Sequence, residues 1–117
     1  MRQVEINSKA VLNAKRAAQD KALVALDIGP TGQLIEPLGK LDFDEAIDVF
    51  REQIKAGILE KPDMIIIETM TQLAEARAAL LAAKSLTDIP IIVTMSFESN
   101  ARTTLGTSPE TAALVLS

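Results

Sequence analysis

Three short apolar runs, separated by longer segments of helical periodicity, constrain the fold of this chain more than any other feature. The runs cover residues 22–28, 64–67 and 89–95, and each contains β-branched side chains. Runs of this length and composition are typical of strands that are buried on both faces of a parallel sheet. We therefore predict an α/β fold in which parallel strands alternate with helices and the sheet is covered on both sides.

The segments between the runs carry helix signals. The first predicted helix covers residues 4–18, where apolar positions fall mostly on one face. Asp42 stands three residues before Glu45, the spacing of a capping box, and predicts the start of the second helix. Thr71 is the predicted cap of the third. Ser108 is followed by a proline and an acid, which together predict a fourth helix start.

A chain of 117 residues fits one domain, so no second domain is expected. The predicted order begins with a helix and stops soon after a helix cap, which favours a central segment of a larger domain. The alternative is a small, complete three-layer sandwich. A three-stranded parallel sheet leaves two edges unpaired, and we expect such edges to favour self-association.

The chain contains no cysteine and no histidine. Disulfides and the thiolate or imidazole sites that hold zinc are therefore excluded within these residues. Nucleophile systems that need an imidazole base are excluded for the same reason. Carboxylates, hydroxyls, Lys, Arg and backbone groups remain for chemistry.

Charge and hydropathy limit the partners. The formal net charge is -4, and no basic cluster exceeds the pair Lys15 and Arg16, so nucleic acid is not an expected partner. No apolar stretch approaches the length of a membrane span, and the first residues do not form a signal peptide. We expect no membrane association and a cytoplasmic location.

Ligand-binding residues of parallel α/β folds come from the carboxyl ends of the strands. Asp27 lies at the end of the first predicted strand, Glu68 and Thr69 follow the second, and Thr94 is near the end of the third. Glu68 is the sharpest candidate, because a carboxylate at the edge of a buried strand is costly unless it is paired or solvated.

Structural roles remain open for both acids. Glu68 could cap the following helix or pair with a lysine, and Asp27 could orient backbone N–H groups of the next turn. A non-catalytic interaction module, in which the two acids bind Mg²⁺, is a further alternative. An inactive, truncated product is a third.

Four stretches carry a more specific signal. Residues 22–39, 65–70, 91–97 and 106–113 resemble the homocysteine S-methyltransferase domain of cobalamin-dependent methionine synthase. The first stretch is long and unusual enough to be specific, whereas the short isoleucine-rich strands would mean little alone. The resemblance runs over essentially the whole chain.

The resemblance implies a (β/α)8 TIM barrel that binds homocysteine as a zinc thiolate and methylates it from methylcobalamin to make methionine. Residues 1–117 would then be a central segment of the homocysteine-binding barrel, with about strands three to five. Corrinoid and folate modules would be partners of the complete enzyme. Zinc and cobalamin are implied for that enzyme, but no residue of this chain matches a zinc cysteine, so we expect the isolated segment to bind neither and to be inactive.

One residue role can be carried over from the resemblance. Glu68 matches the acid that contacts the amino group of homocysteine in related enzymes such as betaine-homocysteine methyltransferase. Asp27 matches a residue on the same catalytic face. We expect Glu68 to hold the substrate ammonium, with Asp27, Thr69 and Thr94 shaping the pocket. No catalytic residue and no metal ligand is assigned within the chain.

Overall fold

Helices and strands alternate along the chain in the predicted order. The computed structural model describes residues 2–117. The helices are α1 (Arg2–Ala18), α2 (Phe43–Ile58), α3 (Leu73–Lys84) and α4 (Pro109–Leu116). The strands are β1 (Ala25–Ile28), β2 (Met64–Met70) and β3 (Ile91–Met95). They form one parallel sheet in the order β1-β2-β3, which confirms the predicted fold class.

Helices cover only one face of this sheet, so the prediction of a sheet covered on both sides is wrong. Burial alternates along β1 and along the first half of β2, which means that successive side chains point to opposite faces. The covered face consists mainly of four buried side chains: Leu26, Ile28, Ile65 and Ile67. On the other face Asp27 and Thr94 are exposed and Ile92 is 47% exposed.

The core lies between the covered face and two helices. Phe50 and Ile54 of α2 are fully buried there. The face of α3 that enters the core is built largely of alanines, whose small side chains let the helix lie close to the sheet and to α2. α1 packs against α2 as an outer helix, with Val11 as its buried residue. Among residues 2–117 no helix is both long and apolar enough to cross a bilayer.

Two of the three predicted helix caps are confirmed. The Asp42 carboxylate accepts hydrogen bonds from the N–H groups of Asp44 and Glu45. The Ser108 hydroxyl accepts from the N–H of Thr111. The predicted cap at Thr71 is wrong, because Gln72 occupies the N-cap position and its side chain makes no capping bond.

β1 and β3 begin later than predicted for identifiable reasons, whereas β2 begins at Met64 as predicted. Ahead of β1, the N–H of Val24 donates to the Asp63 carboxylate at 2.7 Å and its carbonyl accepts from the Asp63 N–H at 2.8 Å. Residues 22 and 23 therefore stay outside the sheet. β3 begins at Ile91, because Pro90 has no N–H to donate. β2 extends beyond Glu68 to Met70.

Gly57 sets how closely α2 approaches β1. It is buried, and a Cβ at this position would lie 2.3 Å from Cδ1 of Leu26. Leu26 is itself buried against the core and has little room to move. The missing side chain at Gly57 therefore permits the observed contact between helix and strand.

Gly57→Ala is expected to lower the free energy of unfolding by about 1 kcal/mol. Overpacking of a core costs about 1–3 kcal/mol, and the better helix propensity of alanine offsets about 1 kcal/mol of it. Urea unfolding followed by circular dichroism measures the change. Gly29→Ala is the matched control, because a Cβ there meets nothing within 4 Å. A Gly57→Ala chain as stable as the parent would contradict the close contact.

Candidate functional site

The two predicted acids lie side by side on the uncovered face of the sheet. Asp27 pairs in register with Ile66 of β2, so Glu68 is the next residue of β2 on the same face. Both side chains are exposed to solvent. They therefore meet at the carboxyl ends of two neighbouring parallel strands, the position where such folds place their ligand sites.

The neighbouring Asp27 carboxyl group affects the protonation of Glu68. A hydrogen bond to the Asp27 side chain, followed by repulsion from its negative charge, raises the pKa of Glu68 above its ordinary value. A neighbouring negative charge disfavours ionisation of a carboxyl group, which accounts for this direction. The site is therefore suited to a cation or to a group that brings hydrogen-bond donors.

An irregularity in β2 brings the two predicted threonines to the same place. The pairing of β2 with β3 shifts between Ile67 and Met70. Within this interval Thr69 has a φ of 60°, an unfavourable backbone conformation for a β-branched residue. Its N–H donates to the hydroxyl of Thr94 at 3.0 Å. Thr69 and Thr94 thus contact each other directly beside Glu68, at the end of the sheet.

Sequence analysis missed two buried polar residues at the start of α3. Gln72 is 6% exposed and Glu75 is 1% exposed, and both bind the segment that follows β1. The sequence carried a signal for Glu75, since it is an acid among alanines on the face of α3 that enters the core. Its partner is 44 residues away in the chain, however, and spacing alone could not identify it.

The residues of this chain do not form a zinc site. The sequence has no cysteine or histidine, and residues 2–117 contain no group of three or more acidic side chains placed to hold a metal ion. The donor set at the uncovered face consists of two carboxyl groups and hydroxyls. A thiolate-type zinc centre as implied by the resemblance does not fit these residues.

Comparison with known families gives a match over the whole chain. The sequence profile described as Homocysteine S-methyltransferase matches residues 1–117. The chain belongs to the homocysteine S-methyltransferase family. The resemblance drawn from the sequence is therefore confirmed at the level of the family.

A solved structure of a homocysteine methyltransferase has the same arrangement of elements. The apo form of the homocysteine methyltransferase MmuM from Escherichia coli aligns with a TM-score of 0.84 and 16% sequence identity. The alignment covers 98% of this chain and 45% of that chain, so the present chain spans less than half the length of this relative. At this identity the likeness concerns the fold alone.

Membership of this fold explains the one-sided sheet. The chain has the architecture of a segment of a TIM-barrel-like homocysteine methyltransferase fold. In a TIM barrel the helices form an outer ring and the inner faces of the strands point to the barrel interior. The uncovered face with Asp27 and Glu68 corresponds to that interior.

The stability of the fold should depend on pH through the acid pair. Because the pKa of Glu68 is raised in the folded chain, the folded state holds this proton more tightly than the unfolded state. The resulting stabilisation is present below the ordinary glutamate value of 4.5 and is lost as the pH rises through the raised pKa. Glu68→Gln should therefore increase the free energy of unfolding at pH 7, with a gain that disappears at low pH.

Asp27→Asn tests the same repulsion by neutralising the partner of Glu68. It should give a similar gain at pH 7, and the double variant should gain no more than either single one, because only one repulsion is removed. Urea unfolding at a series of pH values measures these differences. Additive gains, or gains independent of pH, would show that the two carboxyl groups do not interact.

Proposed function

We propose that this segment contributes the homocysteine ammonium site of a methyltransferase barrel, with Glu68 and Asp27 as its two acceptors. The observation that carries the proposal is the placement of two carboxyl groups beside each other at the carboxyl ends of β1 and β2. An ammonium group has three N–H donors and one positive charge. It would satisfy both carboxylates at once and offset the repulsion between them.

The physical role of the pair is orientation. Hydrogen bonds between ions are shorter and stronger than those between neutral groups, and two of them fix the direction of the amino-acid end of the substrate. The thiol at its other end is then held at a defined distance from the pair, which favours reaction by positioning. Thr69 and Thr94 border the pair, and in this proposal they limit the room around the ammonium group.

The groups that activate sulfur lie outside these residues. Zinc can lower the pKa of a bound thiol, but this chain supplies no thiolate or imidazole ligand for it. The proposal therefore gives Asp27 and Glu68 a binding role and no part in breaking bonds. It follows that the 117-residue chain by itself should not turn over homocysteine.

The proposal also names a methyl donor, which is a finer claim than the ammonium site. Residues 22–39 resemble the methionine synthase branch of the family, which favours methylcobalamin as donor and cytoplasmic corrinoid and folate modules as partners. Mass spectrometry can test this by following methionine formation from homocysteine and methylcobalamin in a complete barrel that carries this segment. Methionine formed only from a different methyl donor would contradict this branch and leave the ammonium site standing.

The rival role of the acid pair is a Mg²⁺ site in a non-catalytic module. Mg²⁺ prefers octahedral oxygen ligands and is often held by one or two carboxylates together with substrate phosphates. Family membership over all residues argues for the substrate role instead.

Neutralising either acid should weaken homocysteine binding by about tenfold to a hundredfold. Hydrogen bonds to charged groups contribute about 1.5–3 kcal/mol, and each 1.4 kcal/mol corresponds to tenfold in Kd. Glu68→Gln and Asp27→Asn, placed in a complete barrel, are compared by calorimetric titration with homocysteine. Glu52→Gln, an exposed acid on α2 away from the site, is the matched control.

A substrate analogue without the amino group shows whether the lost affinity concerns the ammonium group. The parent protein should bind homocysteine much more tightly than 4-mercaptobutanoic acid, whereas each neutralised variant, which keeps one carboxylate, should show a smaller preference. A Glu68→Gln variant that keeps the full preference for homocysteine would refute the ammonium assignment.

A further inference from the structure

β1 is the shortest strand of the sheet. It has four residues, and within the described chain it pairs only with β2. Asp27 is the third of these residues and the chain leaves the sheet at Gly29. Asp27 is therefore one residue from the end of β1, and contacts of the segment that follows bear on its position.

Glu75 of α3 accepts two hydrogen bonds from the segment just past the end of β1. One of its carboxylate oxygens, Oε1, accepts from the N–H of Thr31 at 2.7 Å and from the Thr31 hydroxyl at 2.6 Å. Glu75 is 1% exposed, so both hydrogen bonds form away from solvent. Thr31 is only four residues after Asp27, and its position determines where the end of β1 can lie.

Gln72 forms hydrogen bonds with the same segment a few residues later. Its Oε1 accepts from the N–H of Ile35 at 3.0 Å and its Nε2 donates to the carbonyl of Gln33 at 2.9 Å. The Gln72 side chain is buried as well, and Nε2 also lies 3.5 Å from Oε2 of Glu75. One amide thus satisfies a donor and an acceptor of the backbone, as an adjacent strand would.

Both side chains come from the start of α3, where Gln72 is the N-cap residue and Glu75 lies in the first turn. Gln72 is four positions after Glu68, and two residues lie between the end of β2 and the start of α3. The contacts of Gln72 and Glu75 therefore tie the exit of β1 to the exit of β2, which are the two points that carry the acid pair. We call Gln72 and Glu75 the α3 clamp.

We propose that the α3 clamp is a positioning device that holds Asp27 beside Glu68. Neither clamp residue touches the substrate in this scheme. Their hydrogen bonds fix the segment after β1, so that the two carboxyl groups stay side by side on the uncovered face. The inference deepens the proposed ammonium site, but it concerns the geometry of the pair and can be tested without any ligand.

The test is carried out on the 117-residue chain by nuclear magnetic resonance. Glu75→Ala should increase hydrogen exchange at the Thr31 amide by about tenfold, as expected for the loss of two hydrogen bonds. The same variant should move the titration midpoint of the Glu68 carboxyl, followed by its ¹³C shift, back toward that of an isolated glutamate. Glu75→Gln, which keeps an acceptor oxygen for Thr31, should restore most of both properties.

Two further variants separate positioning from general stability. Ile54→Val weakens the core at a fully buried position of α2 and should leave the Glu68 midpoint where it is. Thr31→Val removes one clamp hydrogen bond while keeping the side-chain shape, and it should shift the midpoint in the same direction as Glu75→Ala even if that variant does not fold.

Either of two results would overturn the proposal. One is faster exchange at Thr31 with an unchanged Glu68 midpoint, which would make the clamp a loop anchor only. The other is an equal shift in Ile54→Val, which would make the effect one of overall stability. Failure of homocysteine to bind would refute the ammonium site alone, because the midpoint of Glu68 is measured without it.

Discussion

Parallel pairing of three strands against two helices on a single face is the constraint on which the rest of this structure depends. Alternation along β1 and β2 sends apolar side chains into the helices and leaves polar ones on the other face. The close contact of Gly57 with Leu26 and the alanine-rich face of α3 keep this packing tight. Because the helices take only one face, the other is free to present Asp27 and Glu68.

Polar contacts between successive strand-plus-helix units organise the site. Asp27 belongs to the first strand and Glu68 to the second, and their interaction raises the pKa of Glu68. The α3 clamp reaches from the second unit back to the segment after the first. These contacts connect neighbouring βα units at the carboxyl ends of their strands.

Much of the fold could be predicted from local patterns. The order of elements, the parallel strands, and the caps at Asp42 and Ser108 follow from apolar runs and from the chemistry of helix starts. Other predictions were wrong where distant residues intervene. Asp63 binds Val24 and shortens β1, and the helix after β2 starts without the predicted cap at Thr71 because Gln72, the N-cap residue, turns its side chain toward Ile35.

The sequence by itself determined the family, the alternation of elements and the acids at the strand ends, because these depend on neighbours in the chain and on recognisable stretches. Only the tertiary structure decided that one sheet face stays uncovered and that Asp27 meets Glu68. It also revealed that Glu75 holds Thr31 from 44 residues away. These features depend on strand register and helix packing, which bring together side chains whose separation in sequence carries no local signal.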